Sequence, residues 1–162
     1  MDINAMLCDF AQTAEGKLFV SGGGVNTSWV QPQPPHIINI GIAAVINVPY
    51  TATNQPHQFG MSLVDADGQQ VTPWVPEGAP APEPLEDVGM SFNLGRPPGL
   101  IPGQSQAYPI AINASMGLPK LGTYNFVLSI DGTEVSRLPL LLTVMQAPGL
   151  SFGPATPGPI GR

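Results

Sequence analysis

The residues of this chain that could do chemistry are few and scattered. His36 and His57 are its only histidines and Cys8 its only cysteine. Two histidines with Asp65 or Asp67 could in principle make an open metal site, which needs three protein ligands. But His36 follows Pro34-Pro35, and His57 ends the polar run Asn54-Gln55-Pro56-His57. No spacing brings the two onto one element. Asp65-Ala66-Asp67-Gly68 lacks the later ligands of a calcium loop and reads as a turn. Cys8 alternates with Met6 and Phe10, and a free cysteine in such a row is ordinarily a small buried hydrophobe. A thiolate nucleophile needs a histidine or a cation beside it, and no sequence neighbour supplies one.

The remaining motifs also fall short of chemistry. Gly22-Gly23-Gly24 has the look of a phosphate loop. The dinucleotide pattern wants a glycine at position 27, where Thr27 stands, and a Walker loop wants Gly-Lys-Ser/Thr where Val25-Asn26 stand. Ser105 misses the nucleophile elbow, because Ala107 occupies the last glycine position. Glu77, Glu83, Glu86 and Asp87 lie in a proline-rich run with no apolar pocket to raise one carboxyl above the other. Pro80, Pro82 and Pro84 favour the polyproline conformation, but no flanking arginine marks a known ligand class. The expectation is no catalytic residue, no cofactor-binding residue, no metal ligand and no cofactor, and hence not an enzyme.

Composition narrows the partners. Of 162 residues only 10% are charged, with a net charge of −6; about 25% is usual. Lys17, Arg96, Lys120, Arg137 and Arg162 are the only cations and are dispersed. Nucleic-acid binding needs clustered positive charge, and so does an anionic membrane surface, so neither is expected. No apolar run approaches the roughly 18 residues of a membrane span. The start, Met1-Asp2-Ile3-Asn4, carries an acid where a signal peptide wants a basic region. The expected location is the cytoplasm or a virion, without secretion by a signal peptide. An apolar fraction of 43% supports a packed core, and a surface this poor in charge points to protein partners in a homo- or hetero-oligomeric assembly.

The elements that would carry these residues are strands. Apolar residues alternate at Met6, Cys8 and Phe10, and Lys17 to Ser21 returns after Glu15-Gly16. Gly22 to Pro35 reads as a loop. Ile38, Ile40, Ile42, Ala44, Ile46 and Val48 form the strongest row, with Ile37, Ala43 and Val45 on a second covered face. Phe59, Met61 and Leu63 follow, and Asp67-Gly68 turns the chain into a return strand over Gln70 to Val75. Val88, Met90, Phe92 and Leu94 alternate, as do Tyr108, Ile110 and Ile112. Leu121-Gly122-Thr123-Tyr124 leads into Phe126, Leu128 and Ile130 as in immunoglobulin-like domains, where a tyrosine ties the corner. Asp131-Gly132 makes another hairpin, and Leu138, Leu140, Leu142 and Val144 share a face. Pro139 there marks an edge or a bulge. Twenty prolines and 19 glycines spread between these runs fit many short strands. The fold expected is all-β, an antiparallel β-sandwich, immunoglobulin-like or jelly-roll-like, spanning 1–145. A Pro/Gly-rich C-terminal tail, 146–162, would be ordered only by a partner.

The chain also resembles an uncharacterised family of small β-rich actinobacterial proteins, a domain of unknown function. The resemblance rests on Met6-Leu7-Cys8-Asp9-Phe10-Ala11, Gly16-Lys17-Leu18-Phe19-Val20-Ser21-Gly22-Gly23-Gly24, Val48-Pro49-Tyr50 and Asn54-Gln55-Pro56-His57. It continues through Asp65-Ala66-Asp67-Gly68, Gly95-Arg96-Pro97-Pro98-Gly99, Gly122-Thr123-Tyr124 and Asp131-Gly132. It implies a β-sandwich and no established activity, with relatives in such bacteria or their phages. The function expected is a non-catalytic structural or interaction protein packed into a larger assembly, such as a phage capsid decoration or minor virion protein. The alternative is a cytoplasmic module binding a small ligand or peptide near Asn54, Gln55, His57 and the Gly-rich loop; a third and weaker reading is an enzyme using His57 with an acid.

Overall fold

The computed structural model describes residues 1–73 and 89–144. The expected tail 146–162, the acids Glu77 to Asp87 and the prolines 80–84 lie outside them. Among the described residues ten strands form in chain order: β1 (Asp2–Cys8), β2 (Phe10–Ala14), β3 (Lys17–Ser21), β4 (Thr27–Val30), β5 (His36–Pro49), β6 (Pro56–Asp65), β7 (Met90–Asn93), β8 (Ser105–Leu118), β9 (Gly122–Ile130) and β10 (Thr133–Val144).

Two sheets pack face to face. One has the order β1-β5-β8 and the other β4-β10-β9-β6-β7, while β2 and β3 form a separate hairpin. All pairings are antiparallel except β4 with β10, which is parallel. The core sits between the sheets. Ile38, Ile40, Ile42, Ala44, Ile46 and Val48 line it from β5, opposite Phe59, Met61, Leu63, Phe126, Leu128, Leu140 and Leu142. This is the all-β sandwich that the alternation predicts. Tyr124 closes its corner, with its hydroxyl donating to the Lys120 carbonyl at 2.7 Å. Pro139 lies in the stretch of β10 that β4 does not pair, since that pairing begins at Leu141. The missing N–H therefore costs no ladder bond.

Four expectations need correction. Met6, Cys8 and Phe10 do not share one strand. The chain breaks at Asp9, whose N–H donates back to the Ser21 and Gly22 carbonyls. Cys8 is then buried under the hairpin while Met6 and Phe10 are exposed. The loop from Gly22 to Pro35 contains β4, recruited by the free edge of β10. The return after Asp67-Gly68 is a single bridge, Gln70 to Val64, over its described part. The second face of β5 is covered only in part: Ala43 is buried with Cys8 and Ala11, but Ile37 is half exposed.

Candidate functional site

A polar cluster gathers around His57, where the turn after β5 meets the loop after β7 and the β9–β10 turn. Residues Tyr50–Ala52 make one 3-10 turn. Asn54 then takes a positive φ of 62°, and Asp131-Gly132 turn with φ of 51° and 75°, the geometry that Asp-Gly accommodates. These turns aim two acceptors at one ring. His57 Nδ1 lies 2.8 Å from Asp131 Oδ2, and Nε2 lies 2.8 Å from the Ala52 carbonyl oxygen. Neither a carbonyl nor a carboxylate can donate, so this geometry favours the doubly protonated ring. Burial is the largest single influence on His57 and pulls its pKa down. The bond to Ala52 and the bond and charge of Asp131 together outweigh it, and the pKa lies above the ordinary value. Asp131 moves the other way: the Gln58 N–H, then the His57 bond, hold its carboxyl below the usual range. Gln58 N–H donates to Asp131 Oδ1 at 2.8 Å, and the Phe92 ring packs 5.5 Å from the imidazole.

Arg96 finishes the cluster. Its Nε donates to Thr53 Oγ1 at 2.9 Å and its Nη2 to the Tyr50 carbonyl at 3.0 Å. The guanidinium carbon sits 3.7 Å from the centre of the Tyr50 ring, a cation–π contact. Arg96 N–H donates to Asn54 Oδ1, and Gln55 Nε2 donates to the Thr51 carbonyl. Asn54, Gln55 and His57 therefore do come together, as the ligand-binding alternative requires. Asn54 Oδ1, Gln55 Nε2 and both ring nitrogens of His57 bond within the protein. Held at both nitrogens, the His57 ring braces the turn after β5 against the β9–β10 turn. Sequence reasoning missed Asp131 and Arg96 as its partners, because 74 residues separate Asp131 from His57 and only the sheet register joins them.

The other candidates lie apart. His36 is buried at the start of β5, with Nδ1 donating to the Gln31 carbonyl at 3.0 Å. Among the described residues no group of three or more His, Cys, Asp or Glu is placed to hold a metal. Asp65 accepts the N–H groups of Asp67 and Gln69 and so ties its own turn. Cys8 is fully buried, and burial first, then the Asp9 charge, pushes its thiol up. Of the three glycines, Gly22 has a φ of 61° and lies so close to Asp9 that a side chain would meet its carboxylate. This run wraps Asp9 and returns the chain to Leu7, whose carbonyl accepts Gly24 N–H. Ser105 begins β8 and is exposed.

A cleft of about 450 Å³ opens elsewhere, lined by Thr13 to Gly16, Leu94 and Gln106 to Pro109. No helix among the described residues is long and apolar enough to cross a membrane. No curated protein and no solved structure matches the chain. Residues 4–143 match a family of unknown function (DUF6941), over the span of the motif order noted above, and the chain belongs to that family.

Proposed function

We propose that this protein is a non-catalytic structural or interaction protein that packs into a larger assembly. One observation carries the reading: large apolar side chains stand open to solvent on a chain with few charges. Phe10 and Phe19 are 51% and 49% exposed on one face of the hairpin. Trp29, at 59%, shares a second surface hollow with Val30, Pro32 and Ile37. Single exposed hydrophobics are normal, but clustered ones mark surfaces that meet something else. The usual dispersing charge is missing as well.

The more specific form is a capsid decoration or minor virion protein, with the origin in an actinobacterium or its phage. A two-layer β domain with open apolar clusters and little charge suits such a packed setting. The ligand-binding reading draws on the 450 Å³ cleft, but both ring nitrogens of His57 are already bonded within the protein.

The test is the mass of the purified chain by light scattering over a concentration series, together with its co-purification from the native host. Association, or a stoichiometric protein partner lost in a Phe10→Ser/Phe19→Ser variant, is expected. A chain that stays monomeric at every concentration and co-purifies alone overturns the reading.

A further inference from the structure

Strand β8 differs from the other edges in length and composition, although the β2–β3 hairpin lies against its outer face. β4 and β7 are four residues each. β1 lies against β10, and its Leu7 carbonyl accepts the N–H groups of Gly24 and Val25. Short or covered edges are the usual protection against strand-to-strand association. β8 is 14 residues long, in unbroken register with β5, and contains no Asp, Glu, Lys or Arg.

The ladder shows which groups β8 turns outward. In an antiparallel pair, alternate residues bond the partner and the rest point away. Tyr50 N–H donates to the Gln104 carbonyl at 2.9 Å, so even-numbered residues bond toward β5. Pro109, with no N–H to give, sits at an odd position, where β5 loses nothing. Ala111, Asn113, Ser115 and Gly117 therefore direct N–H and C=O away from the sheet. Among the described residues these groups have no main-chain partner.

The core-facing row of the same strand is buried at Ile110, Met116 and Leu118 but not between or beyond them. Ile46, Ile42 and Ile40 of β5 are 0%, 1% and 4% exposed. Their direct neighbours on β8, Tyr108, Ile112 and Ala114, remain only partly buried. Whatever covers this edge must bring an extended backbone and, on the core side, apolar side chains.

We propose that β8 pairs antiparallel with β8 of a second copy of this chain. The twofold axis stands perpendicular to the sheet and joins two three-stranded sheets into one. A twofold interface presents the same patch from both sides. Here the patch matches itself: outward main-chain groups meet their like, and the Tyr108–Ile112–Ala114 row continues on the same face. No charge of β8 meets its own copy, which matters in a chain of net charge −6. The inference deepens the assembly reading and rests on it.

The experiment places lysines on the two exposed positions Ala107 and Ser115 in one variant, with the secondary structure and melting temperature checked. Sedimentation should show the unaltered chain doubling from 16.9 kDa with concentration. The variant should dimerise at least about tenfold more weakly, since four lysines would then line one shared edge. Amides of 111, 113, 115 and 117 in the unaltered chain should gain hydrogen-exchange protection as concentration rises, a readout that survives a misfolded variant. If the unaltered chain associates and neither the variant's mass nor these amides respond, the β8 inference falls while the assembly reading stands. A chain that remains monomeric but binds another protein overturns the second copy as occupant. One that remains monomeric and binds nothing overturns both.

Discussion

The sandwich and the β2–β3 hairpin are held by different physics. The sandwich buries a continuous row of Ile, Leu and Phe between two sheets. The hairpin rests on the outside of the smaller sheet over a patch of small residues, Cys8, Ala11 and Ala43 with Leu18 and Ala111 at its margin. A two-stranded hairpin alone is at best marginal in water, and this one adds little apolar area. Its attachment is polar instead. Asn113, exposed on β8, accepts the Ala11 N–H at 2.9 Å and donates to the Ala11 carbonyl at 2.7 Å. The side-chain amide thus does for β2 what a neighbouring strand would. Burial holds the first region and hydrogen-bond geometry the second, so the two should fail separately.

The largest break should come in the core. Phe126 is 1% exposed among Leu63, Leu138 and their neighbours. Phe126→Ala should cost about 3–5 kcal/mol, read as one cooperative loss of the whole domain by denaturant unfolding, hairpin included.

The brace at His57 comes next. His57→Gln leaves one of two acceptors, Ala52 O or Asp131, without its donor, at a cost of about 1–3 kcal/mol. Its pH signature separates it from packing. The pKa of His57 is raised on folding. The His57 contribution is therefore full below its unfolded value of about 6.5 and is lost as pH rises through the folded value. Asp131 is lowered, so its share is present above about 3.9 and lost as pH falls through its folded value. The stability difference between the unaltered chain and His57→Gln should be largest between these limits and shrink above them. Melting temperatures across a pH series measure it, and a difference that does not vary with pH would show that the ring is neutral in the fold.

Much of the sandwich was legible because each half-buried strand writes a period of two into the chain, and because Asp67-Gly68, Asp131-Gly132 and Tyr124 are local signals. The hairpin is legible in its turn at Glu15-Gly16 and its return over Lys17–Ser21, but its start is not. Alternation runs through Asp9 from Met6 to Phe10, so one strand was expected where the chain turns off the sheet. β4 was hidden because its four residues form a strand only beside β10. The tie from His57 to Asp131 depends on the register of β6 with β9, which no short-range pattern encodes.

The smallest effect should separate the two regions best. Asn113→Ala removes both bonds to Ala11, worth about 1–2 kcal/mol together by ordinary hydrogen-bond values. That loss should fall on the hairpin, because Asn113 faces away from the core and its backbone pairing with Gly41 is untouched. Hydrogen exchange should therefore speed up at residues 10–21 and stay unchanged at β6, β9 and β10. Gly41→Ala probes the same contact from below. Its new methyl would lie 2.8 Å from Cys8 Sγ, 3.1 Å from Asn113 Oδ1 and 3.2 Å from Phe10 Cα. Backbone cannot yield as a flexible side chain can, so the hairpin has to lift. If either variant instead lowers the protection of β9 and β10 as much as that of the hairpin, the two regions unfold as one and the distinction between them is wrong.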